Sequence, residues 1–178
     1  MAKNVIIMGA TSGIGASLAG LFAALGCHLA IAGRRAPLLE QSAARLQAAG
    51  GERVIWEPVD VCSEGAAAAI ERLAAQLGGV DLYIHASGIG CENPQLDPGI
   101  ELETTATNTL GFARCLDAAF RLMEAQGGNG QIAAISSVAG TRGIGISPAY
   151  SASKAFQSRY LEALRQRASA KGLGLFVT

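Results

Sequence analysis

A tyrosine and a lysine four residues apart, Tyr150 and Lys154, are the side chains in this sequence best suited to acid/base chemistry. Residues four apart on a helix share one face, so the phenol and the ammonium can lie in the same small volume. A nearby ammonium favours the phenolate, which lets a tyrosine exchange protons at neutral pH. An isolated pair of this kind more often reflects a packed ring and a solvated charge. Its meaning therefore depends on the elements that position it.

Two serines, Ser136 and Ser137, end an apolar run that predicts a strand over residues 131–136. In an open parallel sheet, ligands bind at the carboxyl ends of the strands. A hydroxyl at this place could hold a substrate carbonyl or alcohol against Tyr150. Neighbouring side chains on a strand turn to opposite faces, so only one of the two serines can face such a site.

The N-terminal segment predicts a strand, a glycine-rich turn and a helix, in that order. The apolar run 5–8 leads into Gly-Ala-Thr-Ser-Gly-Ile-Gly at 9–15, and apolar residues then recur at helical spacing until Gly26. Such a turn exposes backbone N–H groups and a helix N-terminus, which suit a pyrophosphate. A glycine-rich turn can also be only a tight connection, but its position after the first strand favours dinucleotide binding.

The second predicted strand, residues 28–32, ends in Gly33, Arg34 and Arg35. In a dinucleotide fold, an acidic side chain at this place holds the ribose 2′-hydroxyl of NAD, whereas arginine accommodates a 2′-phosphate. No acid is present here, so the sequence predicts NADP(H) in preference to NAD(H). The alternative is that both arginines are ordinary surface charges.

Further strands are predicted over 54–59, 80–86 and 173–178, and helices over about 37–49, 66–77, 101–125 and 148–170. Strands that alternate with helices specify a parallel sheet. The predicted fold class is therefore α/β: a Rossmann-type doubly wound parallel sheet of about six strands with helices on both faces. We expect residues 1–178 to form a single dinucleotide-binding catalytic domain.

Composition limits the classes of partner. Fourteen basic and fourteen acidic residues give no net charge, and no block of like charge occurs, which disfavours nucleic acid or a membrane surface. The cysteines lie far apart and form neither Cys-x-x-Cys pairs nor a Cys/His cluster, so we expect free thiols and no metal site. No signal peptide and no run of about 20 apolar residues is present, so a cytoplasmic location is expected.

Together these motifs resemble the classical short-chain dehydrogenases/reductases over essentially the whole chain. The family pattern is Gly-x-x-x-Gly-x-Gly, an Asp-Val pair after the third strand, then Asn, Ser and Tyr-x-x-x-Lys. By position, the resemblance implies the catalytic residues Asn108, Ser137, Tyr150 and Lys154, and the family spacing selects Ser137 over Ser136. With the arginine inferred above, the expected cofactor contacts are Gly9, Thr11, Ser12, Gly13, Ile14, Gly15, Arg34, Asp60, Val61, Gly88, Tyr150 and Lys154.

The resemblance also implies a mechanism. Tyr150 exchanges a proton with the substrate oxygen while hydride passes between the nicotinamide and the substrate carbon, and Ser137 orients that oxygen. Lys154 favours the phenolate and binds the nicotinamide ribose. Asn108 holds a water that continues the proton path from Lys154. We thus expect an NADP(H)-dependent oxidoreductase for a small-molecule carbonyl/alcohol pair, assembled as a homodimer or homotetramer.

Three features depart from the family pattern. Met8 stands where threonine is common, and residues 85–88 read His-Ala-Ser-Gly instead of Asn-Asn-Ala-Gly. His85 is expected to be a core or strand-bracing side chain. The family's C-terminal lid and last strand are expected to be absent from this chain, as in a fragment of a longer protein. A regulatory dinucleotide-binding protein is the alternative function, and a Rossmann-type methyltransferase ranks far behind because it has no use for Tyr150 and Lys154.

Overall fold

A computed structural model describes residues 2–178 and contains a six-stranded sheet in which every strand pair is parallel. The strands are β1 (Asn4–Met8), β2 (His28–Gly33), β3 (Arg53–Pro58), β4 (Leu82–His85), β5 (Asn129–Ala134) and β6 (Gly174–Val177). Their order across the sheet is β3-β2-β1-β4-β5-β6. The predicted doubly wound α/β fold is therefore confirmed.

The helices are α1 (Gly13–Ala24), α2 (Ala36–Ala48), α3 (Ala66–Leu77), α4 (Pro98–Thr105), α5 (Phe112–Ala125) and α6 (Pro148–Ala170). The prediction of a single helix over 101–125 was wrong in two respects, the start of this helix and its continuity. It begins earlier, because Asp97 accepts hydrogen bonds from the N–H groups of Gly99 and Ile100 and a proline follows it. It is also interrupted by a π-helical segment, Ala106–Gly111, which joins α4 to α5.

The predicted fifth strand was shifted toward the C-terminus. The observed β5 ends at Ala134, so Ser136 and Ser137 lie just beyond it rather than at its last residues. The N–H of Ile135 still donates to the carbonyl of His85 at 3.0 Å. Ser137 is the N-cap of a short 3-10 helix, Val138–Thr141.

The core consists of two layers, one on each face of the sheet. On β1, Val5 and Ile7 face the layer covered by α1 and α2, whereas Ile6 and Met8 face the layer covered by α3, α5 and α6. All four side chains are fully buried. Each such burial contributes roughly 1.5–3 kcal/mol of hydrophobic stabilisation. This two-sided burial explains why the strand sequences are continuously apolar.

The order of the strands creates a crevice at the carboxyl end of β1. This strand pairs with β2 on one side and with β4 on the other. The chain leaves β1 and β4 toward opposite faces of the sheet, and ligands bind in the gap at such a switch point. Gly9 lies there with φ +92°, and a Cβ on it would be 2.6 Å from the backbone nitrogen of Ser87. The two chain segments can approach this closely only because Gly9 has no side chain.

Candidate functional site

A polar cleft of about 310 Å³ lies at the switch point, beside the carboxyl ends of β1 and β4. The cleft is lined by Gly9, Thr11, Ser12, Gly33, Arg34, Arg35, Asp60, Val61, Thr107 and residues 86–89. Most of the predicted cofactor contacts therefore lie around one space. Gly13, Ile14 and Gly15 do not line it and belong instead to the turn and the first residues of α1.

The glycine-rich turn fits a dinucleotide phosphate. A Cβ on Gly15 would lie 2.2 Å from the carbonyl oxygen of Gly9, so the helix starts directly against the turn. Ser12 is the N-cap of α1, but its side chain makes no capping hydrogen bond. The free N–H groups of the first helical turn therefore remain available as donors to an anion.

The two arginines after β2 have different contacts. The Arg35 guanidinium donates to the hydroxyl oxygens of Thr11, at 2.6 Å, and Ser12, at 2.9 Å. Arg34 is largely exposed, and its Nη1 lies 4.0 Å from a carboxylate oxygen of Glu103. Both arginines line the polar cleft, and Arg35 brings its positive charge onto the glycine-rich turn.

A second cleft of about 420 Å³ contains the predicted acid/base pair. It is lined by residues 86–92, Ile135, Ser147, Tyr150 and Lys154. The ammonium nitrogen of Lys154 lies 5.8 Å from the centre of the Tyr150 ring. Residues 86–89 form a wall of both clefts, so the two spaces adjoin at the end of β4.

The Lys154 side chain is almost completely buried. Its ammonium donates to the carbonyl oxygen of Ile135 and to the side-chain oxygen of Gln157, both at 2.9 Å. Burial lowers the pKa of Lys154, because the charged form loses solvation. The two oxygen acceptors oppose that effect and fix the position of the nitrogen.

Asn108 lies in the π-helical segment and is fully buried. Its side-chain oxygen accepts from the N–H of Ile89 at 2.9 Å, and its Nδ2 donates to the carbonyl of Ile89 at 2.7 Å and to the hydroxyl of Ser153 at 3.0 Å. Asn108 thus joins the segment after β4 to α6. Its own carbonyl oxygen accepts from Nε2 of Gln157 at 3.0 Å.

Gln157 is therefore the side chain between Asn108 and Lys154, a contact that sequence reasoning missed. The available signal was a polar residue three positions after Lys154, on the buried side of α6.

The two serines after β5 have separate partners. The Ser136 hydroxyl is bonded to the hydroxyl of Ser158 on α6 at 3.0 Å. The Ser137 hydroxyl accepts from the N–H of Ala139 at 3.1 Å and so begins the short 3-10 helix. Ser137 follows Ile135, which lines the cleft of Tyr150, by two residues. The structure thus places Tyr150 and Lys154 in one cleft and connects Asn108 to Lys154 through Gln157. Ser137 lies beyond the end of β5 and lines neither cleft.

Two glycines, Gly90 and Gly140, contact the acid/base helix. A Cβ on Gly90 would lie 2.6 Å from a ring carbon of Tyr150, and a Cβ on Gly140 would lie 2.8 Å from the backbone carbon of Lys154. No side chain can be accommodated at these distances without displacing the ring or the helix. Neither glycine has a local signature in the sequence, because each contact joins segments far apart in the chain.

His85 is a buried bracing side chain, in agreement with the prediction. Its Nδ1 lies 3.1 Å from the hydroxyl of Tyr83, and its ring meets Phe112 edge-on with 5.1 Å between ring centres. Burial, and to a smaller extent the charge of Lys154, lowers the pKa of His85 to about 3. The imidazole is therefore neutral at pH 7.

Within residues 2–178, the four cysteines are unpaired and no group of His, Cys, Asp or Glu side chains is placed to hold a metal ion. Across the same residues, every helix is too short or too polar to cross a membrane.

A sequence model of one protein family, described as short chain dehydrogenase, matches residues 3–177. The chain belongs to the short-chain dehydrogenase family. The resemblance seen in the motifs is thereby confirmed. Membership gives the class of activity, that of a dehydrogenase or reductase with a nicotinamide cofactor, NAD or NADP.

Among the relatives of this short-chain dehydrogenase, an uncharacterized oxidoreductase of Myxococcus xanthus is 37% identical over 181 residues. The alignment covers 99% of this chain and 69% of the relative. A cis-4-hydroxycyclohexanecarboxylate dehydrogenase of Sinomonas cyclohexanicum is 34% identical, over 86% of this chain and 62% of the relative.

The fold is also similar to the crystal structure of an F189W actinorhodin polyketide ketoreductase with NADPH. The TM-score is 0.90 at 25% identity, and the match covers 99% of this chain and 68% of the ketoreductase. The chain thus spans about two thirds of the length of these three proteins.

Proposed function

We propose that residues 1–178 form one dinucleotide-binding catalytic unit of an NADP(H)-dependent oxidoreductase that acts on a carbonyl/alcohol pair. The observation that supports this most is the adjacency of the two clefts. The polar cleft with Arg34 and Arg35 shares the wall 86–89 with the cleft of Tyr150 and Lys154. Such an arrangement suits an elongated ligand with a phosphate-bearing end and a reacting end.

In this proposal Tyr150 is the general acid/base. It donates a proton to the carbonyl oxygen during reduction and takes it from the alcohol during oxidation. When bound, the nicotinamide supplies or accepts the hydride. Ser137 orients the substrate oxygen, and the ammonium of Lys154 supplies a positive charge in the cleft of Tyr150. Two of the three N–H donors of Lys154 are in use, which leaves one for a ribose hydroxyl.

Asn108 joins the segment after β4 to α6 through its hydrogen bonds to Ile89 and Ser153. The remaining contacts proposed for the cofactor lie on the glycine-rich turn, at Asp60 and Val61 after β3, and at Gly88. A Cβ on Gly88 would lie 3.2 Å from the side-chain oxygen of Asn108 and 3.8 Å from the Lys154 nitrogen. The approach to Asn108 is tight and that to Lys154 is an ordinary van der Waals distance, so Gly88 lets the wall of the clefts lie close to Asn108.

The preference for NADP(H) rests on the charge of the polar cleft. Arg34 and Arg35 line it, and no carboxylate occurs at the end of β2. Replacing both by alanine should weaken NADPH binding roughly tenfold or more, since a hydrogen bond to a charged group is lost, with a smaller effect on NADH. Fluorescence titration with both cofactors measures this. Equal affinities of the unaltered protein for NADPH and NADH would contradict the preference.

The activity itself is tested by incubating the protein with NADPH and a panel of aldehydes and ketones. Oxidation of NADPH, followed by its absorbance, with formation of the alcohol, is the expected result. Cofactor binding with no turnover across the panel would instead support a regulatory dinucleotide-binding protein.

The proposed assembly is a homodimer or homotetramer in which a second copy covers the outer side of α6. Phe156 on this side is exposed yet stacks on Tyr160, whose hydroxyl donates to Asp117 at 2.6 Å. Light scattering after gel filtration should give at least twice the monomer mass, and Phe156→Glu should reduce it. A monomer at micromolar concentration would exclude this assembly.

A further inference from the structure

Gln157 is a buried polar side chain that makes two hydrogen bonds inside the site. It is 1% exposed and lies on α6, three residues after Lys154. Its Nε2 donates to the carbonyl oxygen of Asn108 at 3.0 Å, and its Oε1 accepts from the Lys154 ammonium at 2.9 Å. Burial of an unpaired amide would be costly, but this amide has a partner at each end.

We propose that Gln157 is a positioning residue for Lys154. It holds the ammonium through a neutral oxygen and ties it to the main chain of the π-helical segment. This proposal rests on the proposed function, because the role it gives Gln157 is to hold the Lys154 charge near Tyr150.

The position of Gln157 between two elements explains why an amide is needed there. A π-helical turn departs from the regular hydrogen-bond ladder of an α-helix, and Gln157 supplies a donor to a carbonyl within that segment. The same side chain supplies an acceptor to Lys154. Methionine has a similar volume but would provide neither, and would leave a buried carbonyl and a buried ammonium with fewer partners.

The neutrality of Gln157 matters for the chemistry. Both oxygens that hold Lys154, from Gln157 and Ile135, are uncharged, and within residues 2–178 no carboxylate forms an ion pair with it. The titratable groups that face it are Tyr150 on its own helix and His85 on β4, and His85 is uncharged above about pH 3. No protein carboxylate within residues 2–178 therefore neutralises the ammonium, and its positive charge can act on Tyr150 and on a bound ligand. A carboxylate in place of the amide would hold Lys154 equally well but would cancel that charge.

Nuclear magnetic resonance of isotope-labelled lysine ε-carbons tests the proposal without cofactor or substrate. The other lysines of the chain are Lys3 and Lys171, and a Lys154→Arg variant assigns the Lys154 signal. In Gln157→Met the pKa of Lys154 should fall by roughly one unit below that of the unaltered protein, because the ammonium loses an acceptor. In Gln157→Glu it should rise by a similar amount, because a negative charge replaces a neutral oxygen.

Gln126 offers a matched control. It also donates one side-chain hydrogen bond and accepts another, in both cases with the backbone of Val80, far from Lys154. Gln126→Met should leave the Lys154 titration unchanged. An unchanged Lys154 titration in a folded Gln157 variant, or an equal shift in Gln126→Met, would overturn the proposal. If Gln157→Met does not fold, the shift expected in Gln157→Glu decides alone.

Kinetics provide a second readout. Both Gln157 variants should lower kcat for alcohol oxidation roughly tenfold or more. Gln157→Met removes a hydrogen-bond acceptor of the ammonium, and Gln157→Glu neutralises its charge. Gln126→Met should keep a kcat near that of the unaltered protein. Unaltered kcat in Gln157→Glu would contradict the role of neutrality. Failure of the unaltered protein to turn over any substrate would count against the proposed function, whereas the titration of Lys154 would still decide the role of Gln157.

Discussion

Close backbone approach sets the position of the Tyr150 ring. Gly90 lies against the ring and Gly140 lies against the backbone at Lys154, so α6 is confined at both residues of the pair. The ammonium nitrogen is in turn confined by the oxygens of Ile135 and Gln157. Reaction geometry of this kind is sensitive to displacements of about 1 Å.

Gly90→Ala should therefore displace the Tyr150 ring and lower kcat by roughly a hundredfold, because its Cβ would meet the ring at 2.6 Å. Steady-state kinetics with NADPH measure the effect. Gly143→Ala is the matched control, since a Cβ on Gly143 meets no atom within 4 Å. Equal activity of the two variants would show that Gly90 does not position the ring.

Some residues of the site could be predicted from the sequence and others could not. A spacing of four on a helix is local information, so Tyr150 and Lys154 were identified as a pair and the structure places them in one cleft. The bond of Gln157 to Asn108 joins residues 49 positions apart and has no local pattern. Gly90 likewise contacts Tyr150 only after the fold has formed.

At the scale of elements, α4 and α6 are joined by a carboxylate. Glu101 on α4 accepts from the backbone N–H of Ala149 at the start of α6 at 2.9 Å, and its other oxygen accepts from the side chain of Asn93 at 2.9 Å. A negative charge at a helix N-terminus is favourable, because the first N–H groups lack helical partners. Glu101 thus positions the first turn of the helix that bears Tyr150.

Glu101→Ala should lower the free energy of unfolding by about 1–2 kcal/mol, the usual cost of losing a helix cap, and urea unfolding measures it. Glu103→Ala on the same helix is the control. Its carboxylate is exposed and lies 4.0 Å from Arg34, so its loss should cost less than about 1 kcal/mol. A larger loss in Glu103→Ala than in Glu101→Ala would contradict the capping role.

Element boundaries were predictable where periodicity was clear. The predicted helix at 66–77 is the observed α3, because its apolar residues follow a helical repeat between glycines. The π-helical segment was not predicted, because the low helix propensity of Asn108 and Gly111 does not distinguish a π-turn from an ordinary helix. Packing adds a reason that only the fold shows: a Cβ on Gly111 would lie 2.7 Å from the side chain of Val61.

At the scale of the whole molecule, the alternation of strands and helices was sufficient to predict the doubly wound sheet. The right-handed connection of parallel strands leaves few topologies, and the glycine-rich turn after β1 indicates where the order reverses. The sequence could not show how the arginines divide their contacts, since Arg34 and Arg35 are adjacent and both follow β2. Only the structure shows that Arg35 reaches Thr11 and Ser12 in the turn, whereas Arg34 lies near Glu103.

The buried His85 makes the stability of the fold depend on pH. Its pKa is about 3 in the folded protein against an ordinary 6.5, so below pH 6.5 the unfolded chain binds a proton that the folded chain does not. This contribution to stability is present above the ordinary pKa and is lost as the pH falls toward 3. At pH 5 the loss should be about 2 kcal/mol relative to pH 7.

Urea unfolding of His85→Leu at pH 7 and pH 5 tests this effect. The variant should lack the loss of about 2 kcal/mol that the unaltered protein shows between these values, whereas His28→Leu should retain it. Parallel losses in the unaltered protein and in His85→Leu would show that other groups cause the pH dependence.

The most direct test of the proposed chemistry is the Tyr150→Phe variant, with Tyr160→Phe on the same helix as the control. Removing the Tyr150 hydroxyl should lower kcat for carbonyl reduction roughly 10²- to 10⁴-fold, the usual contribution of a general acid, while NADPH affinity is preserved. Tyr160→Phe, which loses only a bond to Asp117, should keep near-normal kcat. Carbonyl reduction by Tyr150→Phe at the unaltered rate would contradict the assignment of Tyr150 as the acid/base.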